Sequence, residues 1–354
     1  MSRKMMAYRM VDWQKPPQMV EIDVPQPGPV EVLVKVAGNG LCHSDVVIMQ
    51  IPQSIGEMLG WNMPFTLGHE VGGWIEDLGE GVGGFSLGDP VALVSPHSDG
   101  TCSYCLRGQD NACARGSFGR GYGRDGGLAQ YVLANGAREV IKLNTLDPTA
   151  AGPLTDAGAT SYHAVKRVLP KLIPGSIAVV IGAGGLGSFA VQFLRALSPA
   201  RVIAIDINPA RLDFAREMGA HELLSGVSAS TTQDLLGLTK GQGAEAVLDF
   251  VGIDMTIEAG LASVRKAGAF ALVGAGGGTL NHPWFGFLPQ EADIFTFQGG
   301  TIADVHEVIA LAEAGLVRSE IDVFPFSHVE EAYERLNRGE LRGRAVVTPN
   351  NRGL

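Results

Sequence analysis

The first half of the chain contains short segments of alternating apolar and polar residues, separated by glycine and proline. Residues 30–36 alternate in this way, and similar segments occupy residues 72–78 and 90–94. A period of two, bounded by turn residues, is typical of β-strands. Pro25, Gly28 and neighbouring prolines interrupt the chain before the first of these strands. The first 150 residues are therefore predicted to be β-rich and barrel-like.

The pattern changes near residue 150, where helical spacings begin to alternate with continuous apolar runs. This alternation is typical of βαβ units and a parallel sheet. The predicted strands are residues 177–181, 201–206, 246–251 and 269–273, and the predicted helices include residues 155–169, 188–197 and 209–218. Further along, the sequence predicts helices at residues 305–314 and 329–338 and a last strand at residues 344–347.

Length and composition narrow the class of protein. A chain of 354 residues suggests about two domains, and 45% hydrophobic with 18% charged residues excludes a disordered protein. The net charge is −10 and no basic stripe is present, which argues against a nucleic-acid partner.

The uncharged residues 177–194 and 267–290 are broken by glycine or proline and are predicted to be buried strands and turns, not membrane spans. No signal peptide is evident, so a cytoplasmic protein is expected.

A glycine-rich turn follows the predicted strand 177–181. Residues 182–187 form the pattern G-x-G-x-x-G at the start of a predicted helix. Gly182 permits a tight turn, Gly184 lets the backbone approach a pyrophosphate, and Gly187 allows the helix to pack closely on the strand. The segment predicts a dinucleotide site at a helix N-terminus, with a turn that binds no ligand as the alternative. Further cofactor candidates are Gly185 and Leu186 within the turn, and Val251 and Val273 at the ends of two later predicted strands.

Asp206 ends the next predicted strand, 19 residues after Gly187. A carboxylate at this position accepts hydrogen bonds from the ribose of NAD and repels the 2′-phosphate of NADP. Two like charges about 4 Å apart cost about 4 kcal/mol at an effective dielectric of 20, which disfavours NADP by up to roughly a thousandfold. The sequence therefore predicts NAD. Nearby Arg211 would soften this preference, and the alternative role for Asp206 is the N-cap of the following helix.

The cysteines are unevenly distributed. Cys102, Cys105 and Cys113 share one 12-residue window, whereas Cys42 stands alone. A long chain without an export signal gives little reason to expect disulfides. Free core cysteines rarely cluster so closely, so metal binding is the better interpretation of this window.

These motifs together resemble one enzyme family, the zinc-dependent medium-chain alcohol dehydrogenases, and look closest to bacterial NAD-linked enzymes for secondary alcohols and ketones. The motifs that occur in family order are Cys42-His43-Ser44-Asp45, Gly68-His69-Glu70, the clustered cysteines, the glycine pattern and Asp206. The resemblance implies an α/β protein with a GroES-like β-rich catalytic domain, residues 1–156 and 297–354. It also implies a Rossmann domain with a doubly wound parallel sheet, residues 157–296. The active site is then expected in the cleft between the domains.

By this resemblance Cys42 and His69 are ligands of a catalytic zinc. The third family ligand, usually Cys or Asp before the nucleotide domain, is Asp156 here. A thiolate, a neutral imidazole and a carboxylate carry −2 and neutralise Zn²⁺. An open fourth position suits an alcohol oxygen, whose pKa the zinc lowers before hydride passes to the nicotinamide. In the alternative interpretation, Asp156 only caps the helix that follows it.

The resemblance also assigns roles around this zinc. Ser44 starts a proton relay through the cofactor ribose. Some relatives continue the relay with a histidine where this chain has Val47, so the outer relay is expected to pass through water. Asp45 is expected to orient His69, and Glu70 resembles the family's carboxylate beside the zinc.

A second, structural zinc is expected at the clustered cysteines. Cys102, Cys105 and Cys113 match three of the four family ligands, and Asp99 stands where the first cysteine is expected. Aspartate binds zinc, and with three thiolates it preserves the charge of a four-cysteine site. A loop without metal is the alternative, and His97 is a weaker substitute for Asp99.

Other assignments from the resemblance concern the cofactor and the substrate. His43 and Thr160 are candidates for contacts with the cofactor, and Arg344 for the pyrophosphate, with a surface position as its alternative. An aromatic and aliphatic pocket would favour bulky, apolar secondary alcohols over ethanol. Its candidate residues are Val47, Trp61 and Phe297, although Trp61 could equally be core.

The predicted function is NAD-dependent, zinc-dependent interconversion of alcohols with ketones or aldehydes by a homodimer or homotetramer. The sequence leaves two alternatives. A zinc-free quinone or enone reductase of the same superfamily has no need for the Cys42, His69 and Asp156 triad. A non-enzymatic NAD-binding protein has no need for Ser44.

Overall fold

The computed structural model describes residues 3–350. The chain divides into two compact units, of which unit 1 comprises Met1–Ala159 with Gly299–Leu354 and unit 2 comprises Thr160–Gln298. The first domain was expected to end at residue 156 and to resume at residue 297, which are three and two residues before the observed boundaries. A helical segment continues across the first boundary, so no local sequence signal marks that boundary. Within residues 3–350, no helix is both long and apolar enough to cross a membrane.

Strands occur in both units. In chain order they are β1 (Lys4–Met10), β2 (Gln18–Asp23), β3 (Val32–Gly40), β4 (Phe65–Thr66), β5 (Glu70–Leu78), β6 (Pro90–Leu93), β7 (Gly119–Arg120), β8 (Gly123–Arg124), β9 (Tyr131–Ala134), β10 (Val140–Lys142), β11 (Ile177–Ile181), β12 (Arg201–Asp206), β13 (Glu222–Ser225), β14 (Ala244–Asp249), β15 (Val264–Leu272), β16 (Asp293–Thr296), β17 (Ile321–Pro325) and β18 (Arg344–Thr348).

Helices follow the same order along the chain. They are α1 (His43–Met49), α2 (Gln53–Met58), α3 (Pro148–Pro153), α4 (Ala159–Val168), α5 (Gly187–Leu197), α6 (Pro209–Glu217), α7 (Thr231–Leu238), α8 (Asp254–Ser263), α9 (Trp284–Phe287, an irregular turn), α10 (Ile302–Glu313) and α11 (Val329–Asn337).

Unit 1 is built on a seven-stranded sheet. Its order is β10-β6-β5-β3-β18-β17, with β9 also paired to β3, and a smaller sheet has the order β2-β1-β4. The alternating valines of β3 explain its central place, because Val32, Val34 and Val36 are fully buried in one core cluster. β3 begins two residues later than predicted, since Val30 has a positive φ of 62° and lies before the strand.

Unit 2 is a parallel sheet with helices between its strands. Its order is β13-β12-β11-β14-β15-β16, and every pair is parallel. All five residues of β11 are buried, as expected of a strand covered on both faces. The strand order reverses between β11 and β14, which is where doubly wound sheets bind their ligands. The predicted doubly wound class is confirmed.

Candidate active site

Three adjacent strands of unit 1 bring the first predicted site residues together. β5 and β18 flank β3, and Gly40 at the end of β3 lies opposite Glu70 on one side and Val346 on the other. Cys42 follows β3, His69 directly precedes β5, Glu70 is the first residue of β5, and Arg344 is the first residue of β18. Residues far apart in sequence therefore reach one end of the same sheet.

Glycine is required where α3 and Glu70 pack on this sheet. A Cβ on Gly40 would lie 2.0 Å from Oε2 of Glu70, and one on Gly152 would lie 2.2 Å from the Glu70 carbonyl oxygen. Both distances are shorter than atoms tolerate: at Gly152 the obstacle is backbone, and at Gly40 the Glu70 carboxylate would have to move. The two glycines thus let the Glu70 carboxylate cross β3 and let α3 lie directly against β5.

Asp156 lies in a π-helical turn, Leu154–Gly158, between α3 and α4. Such turns insert an extra residue and are frequent at functional sites. Asp156 lies inside a continuous helical segment, 148–168, so it does not cap the helix that follows it; the cap of the whole segment is Asp147, which accepts the Thr149 N–H at 2.9 Å. The turn instead directs Oδ2 of Asp156 to within 3.5 Å of His69 Nε2.

The donor atoms of Cys42, His69, Glu70 and Asp156 lie within 4.8 Å of one another. Nε2 of His69 faces this group, whereas its Nδ1 lies 3.1 Å from Oδ1 of Asp45, without the alignment of a good hydrogen bond. Both His69 and Asp45 are buried. A carboxylate beside Nδ1 favours the tautomer that leaves Nε2 free to bind a cation.

The electrostatics of this group favour positive charge. Burial alone lowers the pKa of His69, but Asp45, Asp156 and Cys42 outweigh burial and hold that pKa well above its ordinary value. Burial would raise the pKa of Asp156, yet its contact with His69 keeps that pKa below the usual range. Metal binding needs a neutral imidazole, so a cation here is expected to release a proton.

The donor set fits a zinc ion. Thiolate, imidazole and carboxylate are the donors that zinc takes in proteins. In addition, Oε2 of Glu70 is buried without a hydrogen-bond partner, which is costly for a carboxylate unless a cation or proton lies nearby. The residues that could hold the metal are Cys42, His69 and Asp156, with Glu70 adjacent.

Arg344 is buried beside Glu70. Its side chain is 5% exposed, and Nη2 donates to Oε1 of Glu70, which rules out the surface alternative. Burial raises the pKa of Glu70 to about 7, although Arg344 acts in the opposite direction. The pyrophosphate contact expected of Arg344 stays a prediction.

Ser44 and Val47 lie on α1. Oγ of Ser44 is 3.3 Å from Nε2 of His69, so its hydroxyl borders the donor group. Val47 is 67% exposed and offers no group that could carry a proton. His43, a cofactor candidate, is exposed at the start of the same helix.

The clustered cysteines form a second donor group in unit 1. The Sγ atom of Cys102 lies 3.6 Å from that of Cys105 and 4.0 Å from that of Cys113. Zn–S bonds of about 2.3 Å in a tetrahedron place sulfurs about 3.8 Å apart, so this spacing fits zinc. Asp99 offers an oxygen within 4.8 Å of the sulfurs. His97 instead directs Nδ1 towards Glu139, 3.9 Å away.

Asp99 organises the loop as well as facing the cysteines. Oδ1 accepts the N–H groups of Thr101 and Cys102 at 2.7 and 2.8 Å, and Oδ2 accepts from Arg115 at 2.9 Å. These bonds hold the pKa of Asp99 well below its usual range. Backbone N–H groups of Cys105 and Ala114 lower the pKa of Cys102 to about 7, which favours its thiolate.

The glycine turn of unit 2 joins β11 to α5. Gly182 has a φ of +85°, and a Cβ there would lie 2.7 Å from Val251, the residue expected near the cofactor. A Cβ on Gly187 would lie 1.8 Å from the Gly182 carbonyl oxygen. At Gly184, by contrast, the nearest atom to a Cβ is Nη1 of Arg211 at 3.7 Å. The protein's own packing therefore requires glycine at 182 and 187 but leaves open space at 184.

Asp206 ties the end of β12 to this turn. Oδ2 accepts the Ala183 N–H and Oδ1 accepts the Asn208 N–H, both at 2.8 Å. The cap of α6 is Asn208, whose side chain accepts the Ala210 N–H, so the capping alternative for Asp206 is wrong. Val273 follows β15 and donates its N–H to the Asp249 carbonyl oxygen at 2.9 Å.

The remaining predicted residues lie in both units. Trp61 is 5% exposed, donates Nε1–H to the Ser117 carbonyl oxygen at 2.6 Å, and belongs to a core cluster of unit 1. Phe297 is half-buried in unit 2, with its ring centroid 4.7 Å from that of His163. Thr160 is half-buried in α4. Their roles at cofactor or substrate stay predictions.

Two aromatic residues contact Asp45 or His69, and the sequence does not indicate either of them. Tyr333 donates its hydroxyl to Oδ2 of Asp45 at 3.1 Å, and the Tyr122 ring lies edge-on to His69 with centroids 6.3 Å apart. Both contacts are long-range, so no local spacing signals them.

Two family models match the chain. The model of the alcohol dehydrogenase GroES-like domain matches residues 28–145, and that of zinc-binding dehydrogenases matches residues 185–314. The first match covers β3, β5 and the clustered cysteines of unit 1, and the second covers most of unit 2.

Full-length relatives agree with these matches. An NAD-dependent alcohol dehydrogenase of Sulfurisphaera tokodaii is 34% identical over 350 residues, 98% of this chain and 100% of that protein. The alcohol dehydrogenase of Aeropyrum pernix has a similar structure, with a TM-score of 0.89 and 35% identity over 97% of this chain and 100% of that one. Acetophenone reductase from Geotrichum candidum, solved with NAD, has a TM-score of 0.84 and 29% identity over 98% of this chain and 97% of that one.

Proposed function

This chain belongs to the zinc-dependent medium-chain alcohol dehydrogenase family, and we propose that Cys42, His69 and Asp156 carry its reaction, the interconversion of alcohols and ketones or aldehydes with NAD(H). The observation behind this assignment is the convergence of their donor atoms within 4.8 Å, from three separate parts of unit 1. Similarity to an NAD-dependent alcohol dehydrogenase over nearly the whole chain supports the reaction type and the nucleotide.

Each side chain of the triad has a defined task. When bound, zinc acts as a Lewis acid towards the substrate oxygen, and the nicotinamide exchanges a hydride with the adjacent carbon. Cys42, His69 and Asp156 would hold the metal with a combined charge of −2. The Asp45 carboxylate lies 3.1 Å from the opposite nitrogen, Nδ1, and favours the tautomer that leaves Nε2 to the donor group.

Ser44 is the proposed proton carrier at the substrate hydroxyl. Its Oγ borders the donor group, 3.3 Å from Nε2 of His69, and the residue is exposed. A hydroxyl accepts one hydrogen bond and donates another, so it can take the substrate proton and pass its own on. Since Val47 carries no proton, water is the proposed continuation of the path.

The glycine turn of unit 2 is the proposed nucleotide site. The open space at Gly184 and the N-terminus of α5 suit a pyrophosphate. Asp206 lies at the end of β12, where a carboxylate accepts from a ribose.

Bulky apolar secondary alcohols and their ketones are the proposed substrate class. The similarity to acetophenone reductase supports it, because acetophenone is a bulky apolar ketone. A second, structural zinc per chain is proposed at the clustered cysteines with Asp99, and a homodimer or homotetramer is the proposed assembly.

The deciding experiment is a panel of alcohols and ketones with NAD and NADP, paired with zinc analysis of the same preparation. The Cys42→Ala variant should lose at least about a hundredfold in turnover and one bound metal, because the site loses its thiolate. NADH titration of the variant should match the wild type, which shows that the chain is folded. Full activity in zinc-free protein would favour the reductase alternative, and NAD binding without turnover on the panel would favour the non-enzymatic one.

A further inference from the structure

Asp45 is the buried carboxylate that lies beside Nδ1 of His69. It is fully inaccessible to solvent, and its two carboxylate oxygens have separate tasks. Oδ1 lies 3.1 Å from Nδ1 of His69, whereas Oδ2 accepts the Cys42 N–H at 3.0 Å and the Tyr333 hydroxyl at 3.1 Å. The same carboxylate therefore touches both a proposed metal ligand and the backbone of another.

Tyr333 reaches Asp45 from the other end of the chain. It lies in α11, 288 residues away in sequence, and is 5% exposed in the core cluster that also holds Tyr8 and Ile48. The Tyr8 ring stacks on it with centroids 6.3 Å apart. Packing thus leaves the Tyr333 ring little freedom, and its hydroxyl meets Oδ2 from a fixed direction.

The Tyr333 hydroxyl is one of two donors to Oδ2 of Asp45, and the other is the Cys42 N–H. Without the hydroxyl, Oδ2 keeps only the Cys42 N–H, and the cost of an under-satisfied buried acceptor favours a shift of the carboxylate. Rotation would take Oδ1 away from Nδ1 of His69 and Oδ2 away from the Cys42 N–H. Outer partners of metal-bound histidines affect metal affinity by 10- to 100-fold when removed.

We propose that Tyr333 is a positioning residue for the metal site: its hydroxyl holds the Asp45 carboxylate in the orientation that directs His69 Nε2 and the Cys42 backbone at the metal. This inference rests on the proposed function, because it presumes a metal held by Cys42, His69 and Asp156.

The test compares Tyr333→Phe with Tyr8→Phe in the full-length protein. Tyr333→Phe removes only the hydroxyl on Asp45, and Tyr8→Phe removes a hydroxyl from the adjacent ring of the same cluster. Zinc affinity is measured by competition with a chelator, and ligand geometry by the visible spectrum of the cobalt-substituted protein. Tyr333→Phe should weaken metal binding at this site by about tenfold and shift the cobalt bands, whereas Tyr8→Phe should do neither. Wild-type affinity and spectrum in Tyr333→Phe would overturn the inference, as would equal changes in both variants.

A double-mutant cycle tests whether Tyr333 acts through Asp45. The Asp45→Asn/Tyr333→Phe protein should bind metal about as weakly as Asp45→Asn alone. Additive losses would mean that Tyr333 acts by another route and would overturn the inference. Cys42→Ala distinguishes failure of the inference from failure of the proposed metal site. If Cys42→Ala removes one metal while Tyr333→Phe changes nothing, only the inference about Tyr333 fails. If Cys42→Ala removes no metal, the proposed metal site fails as well.

Discussion

At the scale of single residues, Asp206 uses both carboxylate oxygens to bind backbone N–H groups and still has lone pairs for a ligand. Ala183 and Asn208 each donate to one oxygen. An ionised carboxylate has about four acceptor positions, so a ribose can still be bound. The residue therefore shapes the turn and carries the charge that would separate NAD from NADP.

Replacement of Asp206 by Asn should narrow the preference for NAD. The amide keeps the size of the side chain and removes the charge that repels a 2′-phosphate, although its NH2 can no longer accept one of the two backbone N–H groups. The NAD-to-NADP ratio of kcat/KM should therefore fall, by up to roughly a thousandfold. Steady-state kinetics with both cofactors measure the ratio.

Asn208→Ala is the matched control for this variant. It removes the cap of α6 and should cost about 1 kcal/mol of stability with no change in the ratio. If Asp206→Asn leaves the ratio unchanged, Asp206 does not discriminate between the two cofactors.

At the scale of elements, the glycine turn combines positions needed for packing with one left open. A Cβ on Gly187 would lie 1.8 Å from a carbonyl oxygen of the same turn. A Cβ on Gly184 would have its nearest contact, with Arg211, at 3.7 Å. The two glycines of one motif should therefore respond differently to the same substitution.

Gly187→Ala should destabilise the protein by about 1–3 kcal/mol, because α5 must move off β11. Gly184→Ala should leave the melting temperature close to wild type and weaken NADH binding by about tenfold, since the new methyl occupies the space proposed for the pyrophosphate. Calorimetry and NADH titration on both variants separate the effects. Wild-type NADH affinity in Gly184→Ala would argue that the nucleotide does not approach this backbone.

The loop with the clustered cysteines is a second element whose folded conformation depends on one side chain, that of Asp99. Asp99→Ala should lower zinc content towards about one per chain and reduce the melting temperature, by about 2–4 °C for each kcal/mol lost. Arg115→Ala is the control, because it removes the ion pair with Asp99 and keeps the carboxylate. Unchanged zinc content in Asp99→Ala would favour the loop without metal.

At the scale of the whole molecule, the metal donors and the glycine turn belong to different units. Cys42, His69 and Asp156 are in unit 1, and Gly182 and Gly187 are in unit 2. Each unit has its own buried cluster of apolar side chains.

Removal of zinc by a chelator should therefore abolish turnover while NADH binding persists. Activity and NADH fluorescence titration on the same chelated sample provide the measurement. Return of activity on adding zinc is the control for unfolding. If NADH binding is lost in proportion to the zinc removed, metal binding and nucleotide binding are not independent.

Much of the fold could be predicted because its signals are local. The strands at residues 177–181 and 201–206 have the predicted limits, since buried parallel strands are continuous apolar runs bounded by turns. The helix predicted at residues 155–169 is instead the π turn and α4 of a longer helical segment. That segment begins with α3, whose prolines and glycine hide it in the sequence and which packs on β3 and β5. β15 begins five residues before its predicted start, at a register irregularity opposite β14.

The candidate site likewise combines features that local sequence spacing specifies with contacts that it does not. By itself the sequence determined the family, the parallel sheet and the residue types of the metal and nucleotide motifs, because short-range spacing specifies them. Only the tertiary structure decided that Arg344 pairs with Glu70 and that Tyr333 donates to Asp45. These contacts depend on the pairing of β3 with β18 and the packing of α1 with α11, which bring together residues more than 250 positions apart and which no local pattern of side chains encodes.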